Sequence, residues 1–94
     1  MAKKSVFYIS GPITGVERYW EPFMAAEEAL VAAGHIVVNP AKLPEGMTKE
    51  QYMRINFAQI DAADAVWFLP GWQSSAGARL ERAYCDYIGK AVLE

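Results

Sequence analysis

The sequence is poor in the residues that build metal and disulfide sites: one cysteine and one histidine among 94 residues. A lone cysteine excludes an internal disulfide and a cysteine zinc cluster. His35 is equally isolated, with no partners at ligand spacing and no serine or cysteine placed to form a triad with it. The chain also lacks a basic excess. Its formal charge is −2 and its pI about 5.4, which argues against a nucleic acid polymer as partner, since such binders carry a basic patch. No run reaches the roughly 20 apolar residues of a membrane span. Met1-Ala2-Lys3-Lys4-Ser5 opens the chain without the apolar stretch of a signal peptide. A cytoplasmic protein with no membrane partner is the expectation. Repeats, linkers and low-complexity segments are absent too, so one domain over residues 1–94 is expected.

What is present is apolar and patterned. Hydrophobic residues make up 53% and aromatic residues 13% of the chain, enough for a packed core. So short a chain still buries a modest fraction of its surface, and a homodimer is expected for that reason. Val6-Phe7-Tyr8-Ile9 reads as a first strand, ended by Gly11-Pro12. A helix follows from about Trp20 to Ala33, with Phe23, Ala26, Leu30 and Ala33 on one face and Gly34 as its left-handed stop. Ile36-Val37-Val38 is a second strand. A loop spans Ala41 to Met47. Thr48 and Gln51 have capping-box spacing, which starts a second helix running to about Ala62. Ala65 to Leu69 is a third strand, broken by Pro70-Gly71. A third helix runs from after Ser75 to Ile88, and Ala91-Val92-Leu93 is a fourth strand. Leu80, Ala83, Tyr84, Tyr87 and Ile88 are expected to form the third helix's core stripe, with Cys85 as a small core or boundary residue.

Strands alternating with helices imply a parallel sheet with right-handed crossovers. The expected fold is a small flavodoxin-like α/β domain with three layers and a four-stranded sheet of order 2-1-3-4. Ligands of such sheets bind beyond the strands' carboxyl ends, where the order reverses. Here that crevice lies between strands one and three. Its loops are Gly11-Pro12-Ile13-Thr14-Gly15 and the stretch from Pro70 to Gly77.

Glu81 stands three residues before Tyr84 and seven before Ile88, at the edge of the apolar stripe and about two turns into the third helix. It is either a carboxylate facing the crevice or a boundary glutamate paired with Arg79, Arg82 or another cation. Ser75 is either an ordinary N-cap or part of an anion site at the helix start. Asn56 shares a face with Met53 and Ile60, and so meets either a backbone group or the crevice. Asp61 and Asp64 read as surface or turn residues. Tyr19, Trp20 and Trp72 lie near the crevice, where they either stack on a flat ligand or serve as core or dimer contacts.

The stretch Tyr8 to Gly15 resembles the first strand and loop of nucleoside 2-deoxyribosyltransferases and the related 2′-deoxynucleoside 5′-phosphate N-hydrolases. Ala63 to Phe68, then Ser75-Ala76-Gly77, then Glu81, resemble the same enzymes' third strand, phosphate or sugar loop and nucleophile helix. Gly89-Lys90-Ala91-Val92 resembles their turn into the next strand. Leu69 to Trp72 and Gly77 to Glu81 look most like segments of short phage and bacterial domains of that superfamily. The resemblance spans nearly the whole chain.

The resemblance implies roles. Glu81 matches a nucleophile that attacks C1′ of a deoxyribose and forms a glycosyl-enzyme intermediate. Tyr8 matches a tyrosine that positions substrate and nucleophile, and Ser75 a serine that contacts a 5′-phosphate. Gly11 and Gly77 match positions of close backbone approach to substrate, in loops that include Pro12 and Ile13. Arg79 stands where many relatives have a small residue, and adds a cation near a phosphate. Asn56 stands where the family usually has an aspartate acting with the leaving base. An amide cannot deliver a proton, and that help is typically worth about 10²–10⁴-fold in rate. The chain ends just past its fourth strand, so an open or differently closed pocket is expected. The implied partner is a small-molecule nucleoside or nucleotide, and the implied chemistry uses neither metal nor organic cofactor. The functions left open are N-glycosidic bond hydrolysis or base exchange through Glu81, a nucleotide-binding module with weak or no turnover, and, more blandly, a structural dimer whose carboxylate is incidental.

Overall fold

A computed structural model of the chain describes residues 4–94. The chain start, read above for a leader, lies in part outside them. The strands are β1 (Val6–Ser10), β2 (Ile36–Val38), β3 (Ala65–Phe68) and β4 (Ala91–Leu93), and the helices are α1 (Trp20–Ala32), α2 (Lys49–Ala62) and α3 (Ala76–Ile88). They form a parallel sheet of order β2-β1-β3-β4, the flavodoxin-like arrangement expected from the alternation. β1 is internal because the crossover through α1 sets β2 on one side of it and the crossover from β2 through α2 passes over it to set β3 on the other, as right-handed connections allow. Among the described residues no helix is long and apolar enough to cross a membrane.

The pleat of β1 divides the core in two. Ile9 points to one face and packs with Phe23, Ala26 and Leu30 of α1, and with Leu69. Tyr8 points to the other and packs with Ile60 of α2, Cys85 of α3, and Val66 and Phe68 of β3. Phe57 stacks on Tyr84 at a centroid distance of 4.5 Å, joining α2 to α3. The capping box at Thr48 and Gln51 forms, with both reciprocal bonds in place. Gly34 and Gly89 end their helices at φ of +92° and +72°, backbone states that glycine reaches without a Cβ penalty.

Three expectations change. Pro40–Lys42 and Trp72–Ser74 form single 3₁₀ turns inside segments read as loop. Ala33 is exposed and lies off the α1 core face. The largest correction concerns α3. Its buried residues are Ala78, Glu81 and Cys85, whereas Leu80 is 52% exposed, Tyr87 91% exposed, and Ala83 and Ile88 exposed as well. The helix carries two candidate faces. The one on the sheet has the smaller side chains, which permit close approach, and its one charged member finds hydrogen-bond donors on β1 and α2.

Candidate active site

Residues Tyr8 and Ser10 alternate with Ile9, so both side chains rise from β1 on the α2–α3 face. Glu81 descends from α3 between them and Asn56 of α2. The Ser10 hydroxyl donates to Glu81 Oε1 at 2.7 Å. The Tyr8 hydroxyl and the Asn56 amide donate to Oε2 at 3.2 and 3.3 Å. Three elements that are distant in sequence thus converge on one carboxylate that is only 5% exposed.

Neither arginine pairs with it. Arg82 binds Asp86 and Glu94 instead, and stacks over Phe68 and Trp72. The Arg79 guanidinium donates to the Gln73 carbonyl and does not line the crevice, so the cation expected near a phosphate is turned elsewhere. Glu81 is therefore a buried carboxylate held by neutral donors. Burial pushes its carboxyl above the ordinary glutamate range, against the pull of the hydrogen bonds from Ser10, Tyr8 and Asn56. Burial and the adjacent Glu81 raise the Tyr8 phenol well above its ordinary value.

The carboxylate opens onto a crevice of about 1150 Å³ beyond the carboxyl end of β1, lined also by parts of the segments that follow β2 and β3. Gly11, Pro12 and Ile13 form one wall, and Ser75 and Gly77 another. A Cβ on Gly11 would stand 3.2 Å from Leu69 Cβ, so that glycine lets the loop close on the core. A Cβ on Gly77 would meet nothing within 4 Å, so the space beside it belongs to the crevice. Ser75 is the N-cap of α3 and accepts from the Ala78 amide at 3.2 Å. The Ala76 and Gly77 amides of the first turn have no intrahelical acceptor, and both residues line the crevice.

Ser10 received no role in the sequence reading, although it makes the shortest bond to Glu81. The signal was its place two residues after Tyr8 on the same strand face. Lys49, Tyr52 and Met53 also line the crevice, and all share a helical face with Asn56. Of the three aromatic candidates, Tyr19 lines the crevice, while Trp20 and Trp72 do not. His35 accepts from the Ser5 amide at the opposite end of the sheet. Asp64 accepts from the Val6 amide and Asp61 from the Tyr84 hydroxyl, at a turn and on the surface as expected. Cys85 is fully buried, its thiol pushed up to about 11, chiefly by burial. Among the described residues no group of three or more potential metal ligands occurs.

A family described as "Domain of unknown function (DUF4406)" matches residues 5–94. The chain belongs to the DUF4406 family. No curated protein matches it. The match covers β1 through β4, so every residue of the Glu81 cluster and both crevice walls lie inside the family domain.

Proposed function

We propose that this domain cleaves or exchanges the N-glycosidic bond of a deoxynucleoside or its 5′-monophosphate, with Glu81 as nucleophile. The observation that carries this reading is the buried carboxylate without a cation, fixed by Tyr8, Ser10 and Asn56 at the wall of a crevice with ample room for a nucleoside. A glutamate kept only for stability pairs with a cation or stays hydrated. Glu81 does neither, and its position at the switch point of the sheet is where such folds bind ligands. The resemblance to deoxyribosyltransferases and nucleotide N-hydrolases along most of the chain supports the same reading.

The chemistry follows retaining glycosidase logic. A Glu81 oxygen attacks C1′, the bond to the base breaks, and water or a second base then displaces the carboxylate. Tyr8 and Ser10 hold the carboxylate at a fixed angle while the apolar surroundings keep it poorly hydrated. Ser75 and the first turn of α3 receive the 5′ end of the sugar, and Gly77 leaves it room. The homodimer is part of the same proposal. Leu80, Ala83 and Tyr87 form an exposed apolar row on α3 beside the crevice mouth, and a second copy covers it.

Asn56 favours one other reading, a nucleotide-binding module without turnover, because an amide supplies no proton to a departing base. Chromatographic assay of base release from deoxynucleosides and their 5′-monophosphates separates the two. Release by the wild type and a loss of at least about 10³-fold in Glu81→Ala is expected. Saturable binding with no release supports the module, and equal release by both proteins removes Glu81 from the mechanism.

A further inference from the structure

The crevice holds a nucleophile, but none of the three side chains hydrogen-bonded to it is free to protonate a leaving base. Asn56 cannot give up a proton. The hydroxyls of Tyr8 and Ser10 are both committed to Glu81, and no histidine lines the crevice. A neutral purine or pyrimidine departs slowly without protonation. A base that already carries positive charge needs none.

The charges around the crevice point the same way. Among the described residues its lining carries three carboxylates, Glu17, Glu45 and Glu81, against one cation, Lys49. A cleft lined mostly by one sign of charge concentrates ligands of the other sign. Tyr19 and Tyr52 line the crevice together with these carboxylates, and aromatic faces beside carboxylates suit a flat cation. Next to them, Asn56 Oδ1 is buried and accepts no hydrogen bond. Asn56 lines the crevice, and a turn of its amide would bring this unpartnered oxygen to the electropositive edge of a charged ring.

We propose that the preferred substrates are glycosides whose base is a cation, such as N-alkylated purine or pyridinium nucleosides, with Asn56 as the residue that sets this preference. The proposal rests on the glycosidase reading of Glu81 and specifies its leaving group. A Glu81 oxygen forms a bond to C1′ as the bond from C1′ to the ring nitrogen breaks. That electron pair returns to the ring, cancels its charge and releases a neutral base. Water then attacks C1′, the bond to Glu81 breaks, the carboxylate is restored and the water proton passes to solvent.

The test compares 7-methyl-2′-deoxyguanosine with 2′-deoxyguanosine, which share a sugar and differ in the charge of the base. Wild type, Asn56→Asp and Glu81→Ala are assayed together, and the Glu81→Ala rate is subtracted as background. Wild type is expected to release the methylated base at least about 10²-fold faster, the lower end of what a general acid contributes. Asn56→Asp is expected to raise release of the neutral base by about 10²–10⁴-fold and so to narrow or reverse the ratio between the two bases. Glu17→Gln with Glu45→Gln is expected to raise KM for the cationic substrate alone. Equal Glu81-dependent release of both bases by wild type, or no gain for the neutral base in Asn56→Asp, overturns the proposal while the glycosidase reading stands. No Glu81-dependent release from either substrate overturns both.

Discussion

Glu81 occupies a site that hydrophobicity alone would give to a leucine. Its ionised form loses hydration there and regains three hydrogen bonds, and the balance leaves its pKa above the ordinary glutamate value. The sign of the linkage follows. The folded state holds the proton more tightly than the unfolded chain does. The stability this group provides is complete below the ordinary glutamate pKa and is lost as pH rises through the raised folded value. Glu81→Gln keeps a neutral side chain at every pH. Its urea midpoint should therefore gain on that of wild type as pH rises through this window, and then hold a constant lead. Parallel profiles would remove burial as the dominant influence on Glu81. In the proposed mechanism catalysis carries the opposite sign, since attack needs the carboxylate, and kcat/KM should rise through the same pKa. Ser10→Ala deletes a bond that lowers that pKa, so its acid limb should move to higher pH, with a stability loss of about 1.5–3 kcal/mol where Glu81 is charged. An unmoved limb shows that Ser10 does not tune the carboxylate. At this scale Glu81 and Asn56 were legible because each breaks an apolar pattern, whereas Tyr8 was singled out only by the family resemblance. Ser10 was not, because a serine at a strand end has many ordinary explanations.

The elements show where periodicity is a sufficient guide and where it is not. The capping box of α2, the glycine stops of α1 and α3 and all four strands follow from local residue chemistry, within a residue or two of the observed ends. The rotation of α3 does not. Its sequence holds a row of Leu80, Ala83 and Tyr87 and a row of Ala78, Glu81 and Cys85. Ranked by hydrophobicity the first row belongs inside, yet the second is buried. Donors on β1 and α2 decide the outcome, and a single helix sequence contains no information about them. Gly77, at the start of α3, separates stability from function. Alanine there has open space for its methyl group and better helix propensity, so Gly77→Ala should stabilise the fold by about 0.5–1 kcal/mol. The same methyl enters the crevice and should raise KM at least severalfold. Thermal melts and steady-state kinetics on one preparation check both halves. A variant that is more stable and kinetically unchanged shows that substrate does not approach Gly77.

For the whole molecule, the order of strands and helices was enough to give the 2-1-3-4 sheet, because crossover handedness leaves few alternatives for so short a chain. It was also enough to locate the crevice at the β1–β3 switch. What topology could not supply was the charge around that crevice. Glu17, Glu45 and Lys49 come from three separate segments, and Arg79 departs to the Gln73 carbonyl. The exposed α3 row acts at this scale too. Tyr87 is the most exposed large hydrophobic residue of the described chain. Sedimentation at rising concentration should show a dimer for wild type and a monomer for Tyr87→Glu, with the fold retained. Identical behaviour of the two proteins places any association elsewhere.

The central claim is that Glu81 forms a bond to the sugar. Acid-quenched turnover of a 2′-deoxynucleoside, followed by mass spectrometry of the intact protein and its peptides, reads that bond directly. One deoxyribosyl group on wild type, mapped to Glu81 and missing from Glu81→Ala, is the expected result. Base release with Glu81 unmodified, or with the adduct on another residue, contradicts it.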